Sequence, residues 1–92
     1  SKKFEDLNGK LNDDYIGCQH NIALAYMNLD RTNRSIELLK ELMILAKRLN
    51  PLHRLATETL VGSTLGICYL KTGDLVRART ELERALENQK KQ

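Results

Sequence analysis

The sequence has no tryptophan, one proline and only five glycines in 92 residues. Collagen-like, low-complexity and turn-rich all-β proteins contain far more glycine or proline than this. No apolar run approaches the ~18 residues that a membrane-spanning helix needs, and no signal-peptide core follows Lys2 and Lys3. These absences favour one small globular domain without a membrane partner, and we expect it in the cytoplasm.

The excess of positive charge is small. Fifteen Lys and Arg residues against twelve Asp and Glu residues give a net charge of +3. Both signs alternate along one segment, with Arg77, Arg79 and Arg84 among Glu81, Glu83 and Glu87. Nucleic-acid-binding proteins usually cluster their cations, whereas mixed charges are typical of a solvated helix face. We therefore expect no nucleic-acid partner, and a basic nucleic-acid or membrane-surface module is the weaker alternative.

The two cysteines, Cys18 and Cys68, are too few for a disulfide scaffold. Each lies in an apolar helical stretch, so we expect buried, reduced thiols. Because the two come close to equivalent positions of an internal repeat described below, a single disulfide between them is the alternative.

No pattern of catalytic or metal-ligating residues emerges. His20 and His53 are the only histidines, and Cys18 lies two residues from His20, on a different side of a helix. Asp13 and Asp14 are better explained as negative charges at a helix start than as a catalytic pair. The chain has no GxSxG, phosphate-loop or HExxH motif. We expect no enzymatic activity, no metal and no cofactor.

Helical periodicity dominates the chain. Apolar residues recur at spacings of three, four and seven, and they predict helices over about 13–29, 33–49, 51–72 and 75–89. No segment alternates with period two, so the predicted fold class is all-α.

Local capping signals set the predicted boundaries of these helices. Asn12, Asp13 and Asp14 would cap the first helix, and Thr32 or Asn33 the second. Pro51 would end the second helix and open the third. Gly73 suits a left-handed position after the third helix, and Asp74 suits the N-cap of the fourth.

The chain repeats itself after 43 residues. This shift places Tyr26 on Tyr69 and Leu39 on Leu82, and it matches helix with helix and break with break. A two-helix unit repeated at such a period is typical of an α-solenoid.

The second copy resembles the tetratricopeptide repeat family. It reads Leu65-Gly66-x-x-Tyr69-x-x-x-Gly73-Asp74-x-x-x-Ala78-x-x-x-Leu82-x-x-Ala85. The first copy is looser, with Ile22-Ala23-x-x-Tyr26 followed by Ser35, Leu39 and Leu42.

The chain departs from the family pattern at several points. Asp30 replaces the turn glycine, although Asp tolerates positive φ better than most residues. Leu42 stands where the family prefers Ala, and Gln19 and Gly62 stand where it has a large residue. Because the period of 43 exceeds the usual ~34, the sequence is most similar to longer-helix variants of the family.

The resemblance implies one domain of two helical hairpins, 13–50 and 51–92, in which Gly66 and Ala78 are small where two helices cross. Residues 1–12 would be the tail of a preceding helix or an N-terminal extension, and we expect the chain to be a fragment of a longer array or an array that completes itself by association. Two repeats are fewer than the ~3 usual in a stable stack. We therefore expect a dimer or higher oligomer, formed partly through residues 1–29. An unrelated four-helix bundle is the alternative fold.

The family uses the inner faces of its first helices as a concave, peptide-binding groove. The resemblance assigns that role to His20, Asn21, Leu24, Met27, Asn28, Ser63, Thr64, Ile67, Leu70 and Lys71. It implies a protein–protein interaction module that binds a peptide or helix of a partner by apolar contact.

Family members that bind the C-terminal tails of chaperones hold the terminal carboxylate with Lys and Asn residues of the groove. At the two corresponding positions of the first repeat, this chain has His20 and Leu24. The resemblance therefore disfavours binding of such tails. The alternatives are a self-association segment and a groove covered by a neighbouring repeat.

Overall fold

The structure, a computed structural model, describes the backbone of residues 8–92 and the side chains of residues 14–92. Within this range the chain forms four α-helices and no strand: α1 (Asn8–Asn28), α2 (Thr32–Ala46), α3 (Pro51–Thr72) and α4 (Leu75–Lys90). The predicted all-α fold class is confirmed. None of these helices is both long enough and apolar enough to cross a bilayer.

Consecutive helices run antiparallel. Tyr15 shares a groove with Leu45, at the opposite end of α2 from Arg34. Near the start of α2, Ser35 Oγ lies 3.4 Å from Cys68 Sγ, near the end of α3. Because α1 and α3 both run against α2, they point in the same direction.

The core lies along α3, the one described helix that contacts each of the other three, whereas α4 contacts α3 alone. Its main cluster contains Ile16, Ala23, Met27, Leu39, Leu42, Val61, Leu65, Cys68, Tyr69 and Ala78. The helices therefore follow one another as α1–α2–α3–α4, with α1 also reaching α3.

The turns that close the two hairpins share one backbone motif. Asp30 has φ 60° and Gly73 has φ 83°, both left-handed. After α1, the amide of Arg31 donates to the carbonyl of Tyr26 at 2.8 Å, and after α3 the amide of Asp74 donates to that of Tyr69 at 2.9 Å. These are Schellman-type closures of a helix end. The same motif thus recurs at the 43-residue spacing found in the sequence, and the expectation that Asp30 tolerates positive φ is confirmed.

The signals at the ends of α3 are also confirmed. Asn50 caps α3 by accepting a hydrogen bond from the His53 amide at 3.0 Å, and Pro51 is the first helical residue. Asp74 caps α4 by accepting from the Arg77 amide at 3.1 Å.

Other predicted boundaries are wrong. The first helix already includes Asn8, the first described residue, and does not start near residue 13, so Asn12, Asp13 and Asp14 lie inside it. Asn and Asp cost only a few tenths of a kcal/mol in a helix interior, so a helix can continue through a capping signal. Residues 1–12 were expected to be the tail of a preceding helix or an N-terminal extension; residues 8–12 belong to α1, and residues 1–7 lie outside the described residues.

The second helix also differs from its prediction at both ends. Arg31 is the N-cap of α2 and has no side-chain capping bond, because Thr32 is already helical. At its other end α2 stops at Ala46 and not at residue 49, and 47–49 form a turn.

The two thiols are free and differ in burial. Cys68 is buried, as expected, but Cys18 is exposed on α1, so that expectation is wrong. The apolar residues around Cys18 indicate a helix, but they do not determine the rotation of that helix about its axis, and this rotation decides which side chains face α2 and α3. The disulfide alternative is not realised.

Candidate functional site

A buried hydrogen bond ties α1 to α3. His20 Nε2 lies 2.7 Å from Thr64 Oγ1, and both side chains are more than nine-tenths buried. Burial lowers the pKa of the His20 imidazole, because the protonated ring loses more hydration than the neutral one. The link holds two parallel helices side by side in the middle of the molecule.

Large apolar side chains remain exposed one turn away from this link. Leu24 follows His20 on α1 and is 36 % exposed. On α3, Ile67 and Leu70 follow Thr64 and are 45 % and 49 % exposed, and Leu60 precedes it at 46 %. We call these four residues, Leu24, Leu60, Ile67 and Leu70, the α1/α3 strip.

Leu60 was missed at the sequence level. It lies seven residues before Ile67 and therefore on the same helix face. This spacing of seven residues is the sequence pattern that indicates a place for Leu60 beside Ile67.

The strip has polar neighbours of limited capacity. Asn21, Asn28 and Lys71 are exposed, as expected for the edges of a binding face. Ser63 is half-buried, and its hydroxyl donates to the Thr59 carbonyl at 2.8 Å. Its hydrogen is therefore used within α3, and the two asparagine amides are the freer hydrogen-bonding groups.

Three of the ten predicted groove residues are placed differently from the prediction. His20, Met27 and Thr64 are buried, at 8 %, 8 % and 7 % exposure. Their burial follows from the close approach of α1 to α3, which a pattern of positions within one helix does not contain. These three residues are buried and therefore do not line the exposed surface of the strip.

The described residues contain no cluster that could hold a metal ion, and Cys68 is not activated. No group of three His, Cys, Asp or Glu side chains from residue 14 onward could hold a metal ion. Burial raises the pKa of the Cys68 thiol, only partly opposed by its contact with Ser35 and the charge of Lys71. Cys68 is therefore a neutral thiol and a weak nucleophile.

A second surface, with both apolar and charged residues, lies between α1 and α2 on a different face from the strip. Two shallow grooves of about 350 and 370 Å³ meet there, and both are lined by Leu38 and Glu41. The first also contains Tyr15, Leu42 and Leu45, and the second Gln19, Ile22, Tyr26, Arg34 and Glu37. We call this continuous surface the α1/α2 furrow.

Comparison with known proteins adds nothing to this geometry: no family model, no curated protein and no solved structure matches the chain.

Proposed function

We propose that the chain is a protein-interaction module of two tetratricopeptide-like hairpins, and that it binds an amphipathic helix or extended peptide of a partner protein on the α1/α3 strip. The observation that supports this best is the strip itself. Single exposed apolar residues are ordinary, but contiguous ones on adjacent helices are typical of interaction surfaces. Leu24 and Ile67 lie one turn beyond the two ends of the buried His20–Thr64 bond.

The strip suits a peptide better than a small molecule. It is an open surface on two helices, and on α1 the side chain of Leu24 lies between the exposed amides of Asn21 and Asn28. Burial of one Leu or Ile against a partner contributes roughly 1.5–3 kcal/mol, which is about ten- to a hundredfold in affinity. Asn21 and Asn28 can pair with polar groups of the bound peptide, which orients it.

A repeat architecture is supported by the twin turns at Asp30 and Gly73, which give both hairpins the same closure. The exposed free thiol of Cys18 agrees with a cytoplasmic location, because exposed thiols oxidise outside the cell.

The proposal is tested by selecting peptides from a displayed random library on the wild-type domain and measuring their affinity by fluorescence anisotropy. Leu24→Asp and Ile67→Asp are expected to weaken binding at least about tenfold each, because each places a charge in the apolar contact. The matched control is Ile44→Asp, a similar change at a 67 % exposed residue of α2 outside the strip. Selected peptides that bind all three variants equally well would place the binding surface elsewhere.

A further inference from the structure

The α1/α2 furrow is open although the corresponding face of the second hairpin is covered. A shift of 43 residues carries Ile22 and Tyr26 onto Leu65 and Tyr69. Leu65 and Tyr69 are only 3 % and 6 % exposed, because they lie in the core cluster that includes residues of α2. Ile22 is 39 % exposed and Tyr26 is half-buried. In the second hairpin, the corresponding face therefore packs against a helix, α2.

The charges in the furrow have both signs, and none of them forms an ion pair within the described residues. The Arg34 guanidinium lies 5.8 Å from the centre of the Tyr26 ring, at one end of the furrow. Glu37 and Glu41 are exposed, and neither forms an ion pair with another residue of the described chain. A two-fold axis through such a surface brings a cation of each copy to an anion of the other, because in a symmetric contact both pairings occur together.

A head-to-tail stack is a poorer match. It would place the outer face of α4 on the furrow of the next copy. Arg79 and Glu83 on α4 already form an exposed ion pair with an N–O distance of 3.0 Å. Covering that pair would remove two charges from water.

We infer that the α1/α2 furrow is a homodimer interface, in which two copies pack furrow to furrow around a two-fold axis near Leu38. In this arrangement α2 of one copy runs antiparallel to α2 of the other. A residue one turn before Leu38 in one copy then contacts a residue one turn after Leu38 in the other. Arg34 of each copy then lies beside Glu41 of the other, and Ile22 and Tyr15 cover the apolar floor of the opposite furrow.

The size of the furrow limits the strength of this dimer. Fifteen residues of α2 span about 22 Å, and two adjacent helices are about 20 Å wide. Each copy thus buries roughly 450 Å², and the interface totals about 900 Å², below the ~1,200–2,000 Å² of stable complexes. We expect a reversible dimer with a dissociation constant in the range of roughly 10–500 μM.

A charge exchange tests the interface without touching the core. In sedimentation equilibrium from 10 μM to 2 mM, roughly bracketing that range, the wild type is expected to shift from monomer to dimer. Arg34→Glu alone and Glu41→Arg alone are each expected to weaken the dimer by about tenfold, since each places like charges together twice. An equimolar mixture of the two variants is expected to restore a heterodimer of wild-type strength, because both contacts are again between opposite charges.

Ile67→Asp, on the α1/α3 strip, serves as the control and is expected to leave dimerisation unchanged, so a failure of the peptide-binding proposal is distinguishable from a failure of this one. A chain that stays monomeric at 2 mM overturns the inference. The inference is also overturned if the dimer is insensitive to both charge changes, or if the mixture of the two variants does not recover dimerisation. A species that grows larger than a dimer as the concentration rises overturns it as well.

Discussion

Leu82 occupies the space that a side chain on Gly66 would need. A Cβ atom at Gly66 would lie 2.6 Å from Cγ and 2.7 Å from Cδ2 of Leu82, and 3.4 Å from the carbonyl oxygen of Ala78. The first two distances are far shorter than any relaxed carbon–carbon contact. The crossing of α3 and α4 therefore depends on glycine at this position, as the sequence predicted.

Gly66→Ala is expected to destabilise the fold by about 1–3 kcal/mol, because the overcrowded crossing outweighs the better helix propensity of alanine. Gly17→Ala is the matched control: nothing lies within 4 Å of its added Cβ, so a gain of about 0.5–1 kcal/mol is expected. Urea unfolding of both variants measures the difference. Equal stabilisation by both substitutions would show that α3 and α4 are not in close contact at Gly66.

The exposure of Leu24 predicts that truncating it costs little. Leu39 is completely buried, and Leu39→Ala is expected to cost about 2–5 kcal/mol because it leaves a cavity in the core. Leu24→Ala removes the same atoms from a partly exposed site, and a loss below about 1 kcal/mol is expected. The two variants are compared by thermal melting followed by circular dichroism. A large loss at Leu24 would mean that the strip belongs to the core.

His20 predicts a loss of stability at mildly acidic pH. Its pKa is lowered in the folded protein, so the unfolded chain binds a proton first as the pH falls. Stability is therefore complete above about pH 6.5, the unfolded value, and decreases as the pH falls below it toward the lowered folded pKa. Unfolding free energies between about pH 8 and 5.5 are expected to show this slope, and His20→Gln is expected to flatten it. A slope that persists in His20→Gln would assign it to other groups.

The two thiols are expected to react at very different rates. Cys18 is exposed, whereas Cys68 is buried and its pKa is raised by burial. A colorimetric disulfide reagent is therefore expected to modify Cys18 rapidly in the native protein and Cys68 only when the fold opens. Cys18→Ser should remove the fast phase and keep the slow one, and Cys68→Ser should remove the slow phase and keep the fast one. Two fast phases would contradict the burial of Cys68.

Features that depend on a few neighbouring residues could be predicted from the sequence. Gly73 and Asp74 were assigned correctly because a left-handed C′ position and an N-cap are properties of the local backbone. Pro51 likewise opens α3 for local reasons. The start of α1 was wrong because the capping tendency of Asp13 is weaker than the continuity of a helix.

Features that depend on the distance between helices could not be predicted in this way. Met27 and Thr64 were expected on an open face and are buried, because α1 approaches α3 closely. Cys18 was expected to be buried and is exposed, since an apolar stretch does not reveal the rotation of its helix. A repeat pattern describes the positions within one two-helix unit. The burial of Met27, Thr64 and Cys18 depends instead on how neighbouring helices pack against each other.

The central position of α3 has a consequence for how the protein opens. Since α3 contacts every other described helix, we expect the amide hydrogens of its buried middle, around Val61 to Tyr69, to exchange only when most of the fold opens. Since α4 contacts α3 alone, it can detach while the other three helices stay packed. Hydrogen exchange should therefore divide the molecule unequally, with slow exchange along α3 and faster exchange along α4.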